Sequence, residues 1–91
     1  MSITELRLMI DAVNPSIGFT MLPTLVDGSG WVLTAFTDCV NIVQIRYYHV
    51  PVVADANFVV TSEARRSEWF MDDATEVVNK VVDLLTTHTL S

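Results

Sequence analysis

"TSEARRSEWFMDD", residues Thr61 to Asp73, joins a strand-like segment to the last helical one, and its reading decides how the sheet ends. Two readings fit it. In the first, Glu63 to Arg66 turn a hairpin, and Trp69 and Met71 alternate with Phe70 on a short strand that leads into the aspartate pair. In the second, a helix begins at Ser62 or Ser67, because "SEARRSEW" holds good helix formers and no β-branched residue. Asp72 and Asp73 followed by Glu76 mark a fresh helix start: a carboxylate can take the free N–H groups of a first turn and complements its partial positive charge. That favours the hairpin.

Downstream of the aspartates, Ala74, Val77, Val78, Val81, Val82 and Leu85 form one apolar stripe, while Glu76, Asn79, Lys80 and Asp83 lie off its centre. Valine is a poor helix former, so this helix must draw its stability from packing. At the other end of the chain, Ser2 and Glu5 have capping-box spacing, Ile3, Leu6, Ile10 and Val13 recur at helical intervals, and Asn14-Pro15 closes the segment. The spacing predicts a helix over 3–13.

Between the helices the residues change to Val, Ile, Thr and aromatics with turn punctuation. "IGFTMLPTLV" and "WVLTAFT" flank "DGSG" (Asp27–Gly30), which reads as a hairpin loop of about four residues. The same four residues lack the lysine and the following helix of a phosphate-binding loop. "DCVNIVQIRYYHVPVV" is either one long strand or two divided near Thr37-Asp38. Neither of its alternating sets is cleanly polar, which predicts some cover on both faces. Pro51 belongs at an edge or bulge, "ADAN" is a turn, and "FVVTS" is the next strand. Helix, strands, helix without βαβ alternation predicts a single α+β domain over 1–91. Its two layers are an antiparallel sheet of about four or five strands and an N-terminal and a C-terminal helix packed on one face.

Composition sets the functional expectations. Of 91 residues only 18% are charged while 51% are hydrophobic, against about 25% charged in an ordinary soluble domain. A chain this short has a high surface-to-volume ratio, so depletion of charge points to surface covered by another chain, either a second copy or another protein. The five bases, Arg7, Arg46, Arg65, Arg66 and Lys80, are scattered within a net charge of −6, which disfavours direct nucleic-acid binding and anionic membranes. Asp27, Asp38 and Arg46 interrupt every apolar window near the ~18 residues a membrane span needs. The amino terminus lacks a basic leader region, and a cytoplasmic location with Cys39 reduced is the resulting expectation.

Candidate chemistry is sparse. Arg65 and Arg66 suit a phosphate or carboxylate, and Trp69 suits stacking. Glu63, Glu68, Asp72 and Asp73 lie close enough in sequence to neutralise the arginines, so Arg65, Arg66, Trp69 and Phe70 are taken as interface candidates. Arg46, Tyr47, Tyr48 and His49 are candidates to line a small-ligand groove. Cys39, His49 and His88 lack the electropositive setting that activates a thiol, carboxylates such as Asp38, Asp55 and Asp72 show no defined pairing, and "DAN" (Asp55–Asn57) lacks the further ligands of a calcium loop. No catalytic residue, metal ligand or cofactor is therefore assigned.

The leading expectation is a non-enzymatic interaction or accessory module, self-associating through an uncovered sheet face or strand edge. Two other classes compete with it. One is an acidic inhibitor or nucleic-acid mimic, which requires Glu63, Glu68, Asp72, Asp73, Glu76 and Asp83 along one ridge. The other is a ligand-binding protein or enzyme, which requires a concave site around Tyr47 to His49.

Overall fold

The hairpin reading of residues 61–73 holds. In the computed structural model, which describes residues 1–38, 41–51 and 55–86, β4 (Phe58–Ser62) and β5 (Ser67–Met71) are joined by a turn over Glu63 to Arg66. Ser62 pairs with Ser67, and the Arg66 amide donates to the Glu63 carbonyl. The Asp73 carboxylate then accepts from the Thr75 amide at 2.9 Å and starts α2 (Ala74–Thr86). A helix beginning at Ser62 would have removed the fifth strand.

The remaining elements are α1 (Ile3–Val13), β1 (Gly18–Leu22), β2 (Gly30–Phe36) and β3 (Ile42–Tyr48). The five strands form one antiparallel sheet in the order β1-β2-β3-β4-β5, each paired with its neighbour in sequence. Both helices lie on the same face, giving the two-layer α+β arrangement that the element order implies. α1 contacts β2, α2 contacts β3, β4 and β5, and the helices touch each other.

Strand alternation supplies the inner half of the core. Leu33, Ile45 and Val60 stand in one cross-strand row and are fully buried; Trp31, Phe58, Ala35 and Val43 flank it. Ile3, Leu6 and Ile10 of α1 and Val77, Val78, Val81, Leu84 and Leu85 of α2 cover these residues. Val13 departs from the expected stripe, for it ends its helix and is 59% exposed. The α1 capping box forms, with Ser2 Oγ accepting from the Glu5 amide and Glu5 accepting from the Ser2 amide. At the end of the aromatic group Trp31–Tyr47–Phe58, the Trp31 indole N–H donates to the Met1 carbonyl at 3.1 Å. These side chains tie the first residues of the chain to the sheet.

Two connections differ from expectation. The β1–β2 loop runs over 23–29 rather than about four residues, and the Leu25 amide closes it by donating to the Gly30 carbonyl at 2.8 Å. Within that loop the Asp27 carboxylate accepts from the Ser29 amide and hydroxyl, and those bonds hold it below the usual carboxylate range. The long strand-like stretch divides near Asp38, whose carboxylate accepts from the Asn41 amide at 2.7 Å before β3 begins. Cys39, expected above to be reduced, and His88 lie outside the described residues. No described helix is long and apolar enough to cross a membrane.

Two backbone positions yield predictions. A Cβ on Gly30 would sit 1.7 Å from the Tyr47 carbonyl oxygen, so β2 and β3 approach as closely as they do only because residue 30 has no side chain. Gly30→Ala should destabilise the domain by about 3 kcal/mol or more, read from urea denaturation; a loss under ~1 kcal/mol would mean that the strands part easily there. Arg66 holds φ at 52°, in the left-handed region. Glycine there relieves a strain of about 1–2 kcal/mol and loses part of that to chain entropy, so Arg66→Gly should gain about 0.5–1 kcal/mol. Thermal denaturation checks it, with a lowered midpoint as the contrary outcome.

Candidate functional site

The face of the sheet away from the helices has no described helix packed on it. Its composition follows from strand register. One cross-strand row reads Leu22, Val32, Arg46, Val59, Phe70, and the next reads Thr20, Thr34, Gln44, Thr61, Glu68. Beyond them Phe36 stands opposite Ile42 at one end, and Gly30 opposite Tyr48 at the other. A solvated sheet face normally alternates to polar residues. Here one entire row is apolar but for Arg46.

The side chains on this face are held by their neighbours. A Cβ on Gly18 would lie 2.6 Å from the Phe36 ring, so the glycine leaves room for that ring to lie over β1. Arg46 Nε donates to Gln44 Oε1 at 2.9 Å, which lays the guanidinium along its own strand and across the polar row. Val59 within the row is buried, while Leu22 and Phe70 at the two edges are about half exposed. Arg46 and Glu68 are the two charged side chains that the described strands place here. The face is thus neutral, on a chain whose net charge is −6.

The four interface candidates do not share a surface. Arg65 and Arg66 sit in the exposed β4–β5 turn; Trp69 points to the helix side, where it packs against the core and carries the Lys80 ammonium 4.7 Å from its ring centroid. Only Phe70 lies on the open face. The ligand candidates divide in the same way. Arg46 and Tyr48 are on the open face, whereas the Tyr47 ring stacks on Trp31 at 5.1 Å on the helix side and meets the His49 ring edge-on. Alternation along one strand separates neighbours in sequence, so these four residues do not converge on one pocket.

The acids needed for a single ridge are dispersed as well. Glu68 stands on the open face, Glu76 and Asp83 are exposed on α2 across the sheet, and Glu63 is at the opposite end of β5 from Asp72 and Asp73. Among the described residues no group of three or more His, Cys, Asp or Glu side chains could hold a metal ion, and no buried side-chain nitrogen or oxygen lacks a hydrogen-bond partner. What sequence reasoning missed is the apolar row of Leu22, Val32 and Val59. Its signal is the mixed character of Ile42, Gln44, Arg46 and Tyr48 on β3, of which Arg46 is exposed and the other three are half-buried.

Trp69→Ala should therefore cost about 2–3 kcal/mol of stability, through lost packing with the core, and leave the oligomeric state unchanged. Denaturation and sedimentation of the same sample separate the two effects; weakened association at full stability would return Trp69 to the contact surface.

Comparison with protein-family models, with curated proteins and with solved structures finds no match for this chain.

Proposed function

We propose that this chain is a non-catalytic protein-interaction module and that the helix-free face of its sheet is the surface it uses. The observation that carries the reading is the row of Leu22, Val32, Val59 and Phe70, continuous across β1, β2, β4 and β5 and interrupted only by the aliphatic stem and guanidinium of Arg46. Scattered apolar side chains are ordinary on a protein surface; a contiguous row flanked by Phe36, Ile42 and Tyr48 is the arrangement that marks a contact.

Two further features support a contact surface over a catalytic one. The face is a sheet surface on which charge is limited to one Arg and one Glu, and interface cores are depleted in charge relative to the remaining surface. The domain is also complete on its other side. Its accessible surface, 5353 Å², equals the ~5,300 Å² that area scaling gives a folded monomer of this mass. The helices cover the inner face of the sheet, and the apolar row lies on the opposite one, with Leu22 and Phe70 about half exposed at its two ends.

Site-directed photocrosslinking tests the assignment. Phe70→p-benzoylphenylalanine should give covalent protein adducts on irradiation, both in the purified protein and in an extract of its native source. The same label at Asn79, exposed on α2, should give none above background. Equal labelling from the two positions, or none from position 70, would dismiss the open face as a binding surface.

A further inference from the structure

We infer that the occupant of the open face is a second copy of this chain, packed sheet on sheet about a two-fold axis that runs along β4. The inference rests on the reading of that face as a contact surface and adds the identity and orientation of the partner.

Charge supports a copy of the same chain. Outside this face the strands, helices and turns carry the entire net charge of −6, while the face holds one cation and one anion. Such a surface is complementary to itself. In a two-fold contact, a residue i that meets j on the partner is matched by j meeting i, so a single Arg and a single Glu form two pairs. A strongly basic partner would find only Glu68 to meet on this face, and a strongly acidic one only Arg46.

The position of those charges selects the axis. Sheets packed face to face lie ~10 Å apart with strands roughly aligned. An axis along β3 would overlap all five strands but would set Arg46 against its own symmetry mate. Moving the axis one strand over, to β4, exchanges β3 with β5. Arg46 shares its cross-strand row with Phe70, through Val59. It therefore comes to rest over the partner's β5, above the partner's Phe70 and two residues, ~7 Å, from the partner's Glu68, within reach of a guanidinium on its flexible stem. Val59, the most buried residue of the row, lies on the axis against its own mate.

Area sets the strength. Three overlapping strands at ~4.8 Å spacing and about six residues at ~3.4 Å give a footprint of ~300 Å². Counted on both chains that is ~600 Å², below the ~1,000 Å² of a stable complex, so the association is weak and transient. Dissociation in the range of about 10–500 µM is the expected regime.

Exchange of charge between chains tests the arrangement. Arg46→Glu and Glu68→Arg each place like charges together twice and should weaken association roughly tenfold or more by sedimentation equilibrium. Both positions are exposed, and circular dichroism would verify that each variant keeps its fold. An equimolar mixture of the two single variants restores both opposite-charge pairs in the heterodimer and should associate at least as well as the unsubstituted chain. A mixture no tighter than either variant alone overturns the inference, as does an unsubstituted chain monomeric at about 1 mM. In that event adducts at position 70 with other proteins would still uphold the open face as a contact surface, whereas their absence would remove both. Dimers unaffected by either substitution would place the contact at a strand edge, and so against the inference.

Discussion

Everything in this molecule depends on a single apolar layer held between α2 and the inner face of the sheet. Val77, Val78, Val81, Leu84 and Leu85 meet the row of Leu33, Ile45 and Val60, and α1 adds Leu6 and Ile10 over β2. α2 has no independent reason to be helical, since valine disfavours the helix and short helices are marginal in water. Its conformation is imposed by the sheet against which it packs. Among the described residues, the two helices are the only elements layered on the sheet.

One layer of helices covers one face of a five-stranded sheet, and the other face must be either polar or partnered. This chain takes a mixed course. The Thr20–Thr34–Gln44–Thr61–Glu68 row is suited to water, and the neighbouring row is not. A wholly apolar face would expose a monomer to indiscriminate association, and a wholly polar one would bind nothing by this route. A polar row beside an apolar one, with Arg46 at the centre, gives a patch that is small and oriented.

How much of this was legible in the sequence depends on which signal each part carries. Helix starts were written in side chains that cap: Ser2 with Glu5, and Asp73 ahead of Thr75. The β4–β5 hairpin was legible because a fresh cap at Asp73 left no room for an earlier helix. Facing was harder to read. Alternation says that Trp69 and Phe70 lie on opposite sides of β5, and that Tyr47 opposes Tyr48, but not which side receives the helices. In each strand both sets include apolar residues, so hydrophobicity alone does not break the tie. Register and helix placement do, and these come from contacts distant in sequence. The length of the β1–β2 loop is not legible for a local reason: the glycines of Asp27–Gly30 suggest a tight turn, whereas the last ladder pair is Leu22–Val32, five residues earlier.

The helical layer is assembled from the two extremities of the described chain, α1 and α2, which meet over a sheet made of everything between them. No contiguous half of the polypeptide therefore encloses its own apolar residues. The hairpins can form early and independently, each closing a short segment, yet none becomes insulated from water until the far helices dock on it and on each other. Cooperativity follows from the wiring: loosening α1 frees the Met1 carbonyl from Trp31 and uncovers Leu33 at once, so partial opening at one extremity weakens the seat of the other. Because its outermost segments share a single roof, the domain is expected to melt as one unit.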